Sequence, residues 1–204
     1  MTTIYLISNN YKQNRYVNDK NNDSIEYRMS KSNLNYEGIN NAIKLSKMKE
    51  LSNIDYIYTS SYNSTIETSN YLKGTKNIDI IINNNFNQRR IGVNKLTEIP
   101  AYYEEIHFMD INYHLPKGES QLDIINRMYK GILDILKNNK NKRIAIVTHK
   151  ICITYLLRKW CKIKYKDNFI YKDKIIFNGN YKGLDIFKLE FNKTELIDIR
   201  YIEK

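Results

Sequence analysis

Thr3-Ile4-Tyr5-Leu6-Ile7 runs directly into Ser8-Asn9-Asn10, and the rest of the chain is read outward from this stretch. An apolar, β-branched run that breaks into small polar residues predicts a buried strand ending at a loop. In open α/β sheets, ligands sit at such strand ends. The same form returns far downstream, where Arg143-Ile144-Ala145-Ile146-Val147 leads into Thr148-His149. Two strands are therefore expected to aim polar groups at one place, with Asn9 on one and His149 on the other.

Around these two strands, β and α signals alternate. Residues 54–58 predict a short strand leaving through Thr59-Ser60-Ser61, followed by a helix over 62–72. Residues 78–82 predict another buried strand, and 150–162 a helix after the second motif. Asn35 is a plausible N-cap for a helix carrying Ile39, Ala42, Ile43, Leu45 and Met48. The strongest helix starts at Gly118-Glu119-Ser120, where Ser120 and Asp123 suit a capping box and Leu122, Ile125, Met128, Ile132 and Leu136 supply an apolar face. The tail alternates over 184–191 and resumes over 195–201 after Asn192-Lys193-Thr194, a hairpin closing one sheet edge. This alternation predicts a three-layer α/β/α architecture with a mainly parallel sheet and helices on both faces.

Two stretches resist periodicity. Residues 11–31 are polar, and 93–117 are irregular, holding Tyr102, Tyr103, His107, Phe108, Tyr113 and His114 around Pro100 and Pro116. Long aperiodic segments are usually functional or mobile. The second is expected to form a lid, and its aromatics suit either stacking on a ring or a satellite hydrophobic cluster.

With 204 residues the chain suits one domain over 1–204, able to bury about 70% of its unfolded surface. Lys and Arg number 33 against 22 Asp and Glu, a net charge of +11. That field favours anionic partners. A genome rich in A and T, which fills tolerant surface positions with Lys, Asn, Ile and Tyr, accounts for the same excess. Cys152 and Cys161 are expected in one helix, about 13 Å apart at 1.5 Å per residue, too far to bridge. They read as reduced, packed thiols. His107 and His114 flank no acidic cluster with ligand spacing, so neither a metal nor a cofactor is expected. With no cationic leader and no run of 18 apolar residues, a cytoplasmic protein is the simplest expectation.

The two strand-end motifs resemble those of the histidine phosphatase (phosphoglycerate mutase-like) superfamily, whose first strand ends in Arg-His-Gly and a later one in Ser/Thr-His-Gly. Here the second reads Thr148-His149-Lys150 and the first Ser8-Asn9-Asn10. The family's Gly-Glu-Ser followed by an Arg is matched at Gly118, Glu119, Ser120 and Arg127, and its Leu-Thr-x-x-Gly-x-x-Gln-Ala helix start at Leu34, Gly38 and Ala42. Asn87-Gln88-Arg89-Arg90-Ile91-Gly92 is similar to its Glu-Arg-x-x-Gly, with Gln88 at the acid. Ser64 falls where the family's second phosphate-binding arginine stands, four residues before Thr68. The likeness runs nearly end to end.

The resemblance implies a phosphohistidine scaffold without its nucleophile. Such chemistry needs an imidazole to attack phosphorus, cations for the equatorial oxygens and an acid for the leaving oxygen. Asn9 has a delocalised amide, Ser8 and Ser64 lack charge, and Gln88 has no proton to give. The vestigial catalytic positions are thus Ser8, Asn9, Ser64, Gln88 and His149. All substitutes are polar, so a water-filled or liganded pocket is expected. Its expected ligand-binding residues are Ser8, Asn9, Arg15, Ser64, Gln88, Arg89, His149 and Lys150, with Lys12 near the rim.

The resulting expectation is a catalytically inactive protein that senses or sequesters a phosphorylated small molecule or nucleotide-derived ligand. Two alternatives stay open: a protein-interaction scaffold, including a homo-oligomer, and a residual phosphatase using His149 with Glu67, Glu104 or Glu105 as acid. Nucleic acid ranks last as a partner because no binding motif is visible, and no membrane association is expected.

Overall fold

Eight consecutive buried residues, Thr2–Asn9, form strand β1. A strand buried on both faces belongs in a sheet interior, and the computed structural model, which describes residues 1–9 and 24–203, places it there. On one side β1 pairs in parallel with β4 (Arg143–His149). Beyond β4 lie β2 (Tyr56–Thr59) and β3 (Asp79–Ile82), also parallel. On the other side, β1 pairs antiparallel with β8 (Ile186–Asn192), which turns back into β9 (Glu195–Ile202). The six-stranded order is β3-β2-β4-β1-β8-β9, a mainly parallel sheet with the expected hairpin at one edge.

Alternation along the strands divides the core in two. Ile4, Leu6, Ile144 and Ile146 face helices α5 (Gln121–Asn138) and α6 (Lys150–Leu157). Tyr5, Ile7, Ala145 and Val147 face α2 (Tyr36–Ser46) and α3 (Asn63–Lys73). Each fully buried Leu or Ile contributes roughly 1.5–3 kcal/mol relative to exposure, so both faces are strongly specified. The expected caps are in place: the Asn35 side chain accepts from the Gly38 N–H, and Ser120 and Asp123 exchange hydrogen bonds at the start of α5.

Several expectations are corrected. The 78–82 strand is not buried: β3 is the outer edge, and Ile82 is 55% exposed. The helix after β4 stops at Leu157, because the chain winds through a turn over residues 158–161 to reach β5 (Lys162–Ile163). Cys161 therefore lies past the helix that holds Cys152, although both thiols are free and buried. Inside 11–31, where no periodicity was visible, Ser24 caps the short helix α1 (Ile25–Ser30). The 93–117 stretch contains helix α4 (Tyr103–Met109), whose Tyr103, His107 and Phe108 are buried. Phe108 joins the α5–α6 side of the main core, whereas the satellite-cluster reading expects a separate cluster. A second, three-stranded antiparallel sheet of β5, β6 (Phe169–Tyr171) and β7 (Lys174–Phe177) has no counterpart in the sequence reading. No helix among the described residues is long and apolar enough to cross a membrane.

Candidate functional site at the ends of β1 and β4

The parallel register of β1 and β4 sets Asn9 directly opposite His149. β2 ends one strand further along, and its exit residue Ser60 shares a 2.9 Å hydrogen bond with Nε2 of His149. Ser60 is bonded in turn to Thr65 Oγ1 at 2.6 Å, which brings the first turn of α3 against the imidazole. The Tyr62 ring meets His149 edge-on, with centroids 4.7 Å apart. Burial pushes the Tyr62 phenol up to about 12, so it stays protonated. The imidazole is thus held by a strand, a hydroxyl and a ring at once.

Among the described residues, three buried side chains here make no hydrogen bond: Asn9, Ser64 and Thr59, the last residue of β2. Asn9 is 3% exposed, and neither its amide nitrogen nor its oxygen makes a hydrogen bond. Ser64, adjacent to Thr65, is fully buried with an unbonded hydroxyl. Buried polar groups are nearly always satisfied, and a missing bond costs roughly 1–3 kcal/mol. Three orphans where three parallel strands end, beside a fixed imidazole, are what a site for a polar ligand looks like.

Ser8, also expected in the pocket, is used otherwise. Its hydroxyl donates to the Gly183 carbonyl at 2.6 Å and accepts the Asp185 N–H at 2.9 Å. These bonds tie β1 to the entry of β8, so this hydroxyl serves the sheet. Asp185 is itself buried and accepts from the Tyr201 hydroxyl and the Lys182 N–H.

Gln88 and Arg89 lie on a segment tied to the strand ends through Phe86, whose carbonyl accepts from the Thr148 hydroxyl at 2.6 Å, and through Asn87, whose Oδ1 accepts the Ser61 N–H at 2.9 Å. This segment is also fixed from behind. A Cβ on Gly92 would lie 2.2 Å from the Gly118 nitrogen, and one on Gly118 would lie 2.5 Å from the Ile91 carbonyl oxygen. Only glycines permit this contact, and Gly92 also has a φ of +88°. Glu119 accepts the Arg90 N–H at 2.9 Å, while Arg127 donates to Glu119 at 2.8 Å and to the Asn85 carbonyl at 2.7 Å. The Gly118-Glu119-Ser120…Arg127 motif is therefore a clamp on residues 85–92. It positions the site without entering it.

Within that segment, Gln88 Oε1 accepts weakly from the Cys152 thiol at 3.7 Å, linking it to the first turn of α6. Burial raises the Cys152 pKa, so the thiol remains a neutral donor. Arg89 is 6% exposed and forms a bidentate pair with Glu104 of α4, at 3.0 and 2.5 Å. Burial alone would lower its pKa, but the Glu104 carboxylate outweighs that and holds it above the ordinary value. Its guanidinium also lies 5.1 Å from the Tyr103 ring centre. The expected pocket cation is thus already neutralised, and Glu104, weighed as a replacement acid, is its counter-ion. Glu67 accepts the Leu34 N–H at 2.6 Å and is likewise committed.

Lys150 opens α6 immediately after His149, with its ammonium 4.9 Å over the Tyr181 ring. Arg15 and Lys12 lie outside the described residues. Sequence reading missed Ser60, Tyr62 and Thr65; the polar exit Thr59-Ser60-Ser61 was the available signal for the first. His107, far from exposed, places Nε2 2.8 Å from the Glu119 carbonyl and Nδ1 2.9 Å from the Tyr155 hydroxyl. The Glu119 carbonyl makes Nε2 the donor, and burial lowers the pKa of the ring. No cluster of three or more potential metal ligands occurs among the described residues.

The chain has counterparts among known proteins. The family model of the histidine phosphatase superfamily (branch 1) matches residues 18–173, most of the chain. The chain belongs to that superfamily. Among solved structures it is similar to YhfR of Bacillus stearothermophilus, with 18% identity, a TM-score of 0.73 and coverage of 97% of this chain and 95% of that one. A putative alpha-ribazole-5'-P phosphatase from Escherichia coli gives 14% identity and a TM-score of 0.69, covering 100% and 96%. A histidine-to-alanine mutant of the phosphoserine phosphatase from Entamoeba histolytica, in complex with phosphoserine, gives 17% and 0.66, covering 98% and 97%. At these identities the likeness establishes the shared fold. Among curated proteins none matches the chain in sequence.

Proposed function

We propose that this member of the superfamily binds a phosphorylated small molecule at the ends of β1 and β4 and does not hydrolyse it. The observation that carries the reading is Asn9, whose two buried amide atoms have no partner among the described residues, opposite a fixed His149. A phosphoryl group accepts hydrogen bonds from an amide N–H, whereas an amide nitrogen, its lone pair delocalised, cannot attack phosphorus. Losing one electrostatic group at a transition state typically costs about 10²–10³ in rate. Asn9, Ser64 and Gln88 stand where the superfamily's nucleophile, arginine and acid are expected, so binding would persist where turnover does not. The phosphoserine complex of the Entamoeba mutant supports this separation, since that protein lacks a histidine and holds a phosphomonoester.

His149 is a poor replacement nucleophile, because Ser60 already engages its Nε2. Calorimetry against sugar phosphates and nucleotides, with phosphate release followed in the same samples, tests the reading. Heat of binding without release, lost in His149→Ala, is expected. Absence of binding to every phosphomonoester refutes it.

A further inference from the structure

A cavity of about 220 Å³ opens between α4, α6 and the β5–β6 turn, with Lys150, the residue after His149, in its lining. Phe108, Ile151, Ile163, Tyr165, Phe169 and Tyr181 form its walls, and three lysines, Lys150, Lys164 and Lys166, stand at its edges. Two of them already lie over its rings, Lys150 4.9 Å from the Tyr181 centre and Lys166 5.0 Å from that of Tyr165. Thr154 and Tyr181 share a 2.9 Å hydrogen bond that fixes one wall, and Phe108 meets Tyr165 at 5.3 Å on another.

One lining residue joins this cavity to the strand ends, and a second ties it to Arg89. Lys150 lines it and is peptide-bonded to His149, and Glu104 lines it while gripping Arg89. The two acidic residues at its margin, Glu104 and Asp167, are outnumbered by the lysines, and Glu104 is spent on Arg89. An apolar recess walled by aromatic rings and rimmed by cations matches a molecule with a flat ring at one end and negative charge at the other.

We propose that this cavity receives the aromatic ring of a phosphomonoester whose phosphate lies at Asn9 and His149, with the Lys150 ammonium between ring and phosphate. The proposal rests on the phosphate-binding reading above and adds the class of the remaining part of the ligand. A nucleoside monophosphate and a simple aryl phosphate share this chemistry. They differ in whether a sugar separates the ring from the phosphate.

The test is calorimetry with AMP, phenyl phosphate, ribose 5-phosphate and adenosine, on the wild type and on two variants. Thr154→Trp fills the recess from α6, and Tyr165→Ala removes a wall near its mouth; thermal unfolding confirms that each variant folds. Stacking of one base on aromatic side chains gives an advantage of about tenfold or more. AMP or phenyl phosphate is therefore expected to bind at least about tenfold more tightly than ribose 5-phosphate, and whichever does so tells nucleotide from aryl ligand. Both variants should erase the advantage and leave ribose 5-phosphate binding unchanged. Equal affinity for all three phosphates in the wild type, or an advantage that survives both substitutions, overturns the proposal. If no phosphomonoester binds, the phosphate reading fails, and adenosine then decides the cavity alone: binding lost in Thr154→Trp upholds the ring site, and no binding overturns it.

Discussion

Replacing Asn9 by Leu should make the protein more stable and abolish its ligand binding. Asn9 is 3% exposed and both amide atoms lack partners among the described residues, so the folded state bears the desolvation of a donor and an acceptor without recovering hydrogen bonds. Leu is of similar size and leaves nothing unsatisfied. Removing an orphaned buried polar group recovers on the order of 1–3 kcal/mol. For a chain of this length each kcal/mol moves Tm by about 2–4 °C, which gives an expected rise of about 2–12 °C for the free protein. The assay is thermal unfolding of wild type and variant, each with and without a saturating phosphomonoester. The ligand should raise the wild-type Tm through linkage and leave the variant unmoved. A variant Tm equal to or below that of the wild type would show that the amide serves the fold, and would refute the claim that it is held ready for a ligand.

Three further outcomes are expected. Glu104→Gln strips the counter-ion from the buried Arg89 and should cost on the order of 1–3 kcal/mol in denaturant unfolding, less than the 3–5 of a fully buried pair because Glu104 is half exposed; an unchanged midpoint would mean the pair contributes nothing. Burial lowers the His107 pKa below its ordinary 6.5, so the folded state binds fewer protons than the unfolded one beneath that pH. This contribution is intact above about pH 6.5 and declines as pH falls, by at most about 1.4 kcal/mol per unit, and His107→Gln should flatten the profile of Tm against pH between about 5 and 7. Asn9→His alone should release no phosphate from an aryl phosphate, since Gln88 still supplies no acid and Ser64 no cation; turnover by that single variant, without Ser8→Arg, Ser64→Arg and Gln88→Glu, would show that fewer parts are missing.

The juxtaposition of Asn9 and His149 was legible in the sequence because each closes an apolar run, and parallel strands that end alike end together. Caps at Asn35 and Ser120 were legible for a similar reason, since their signals are local. Direction within the site was not. Whether Ser8 faces the pocket or β8 depends on Gly183 and Asp185, which lie 175 or more residues away. The pairing of Arg89 with Glu104 likewise depends on how α4 docks, and the small sheet escaped notice because β5, β6 and β7 have only two, three and four residues. The Gly118-Glu119-Ser120 motif was recognised, but its role as a clamp on residues 85–92 needed the contact between Gly92 and Gly118.

The most direct test of the central claim is a single incubation of the protein with a phosphomonoester it binds, followed by quantification of free phosphate against bound, intact ligand. Intact ligand recovered with the protein and no phosphate above background, with retention lost in His149→Ala, is the predicted result. Phosphate released over many turnovers and abolished by His149→Ala would contradict it and identify a working phosphatase.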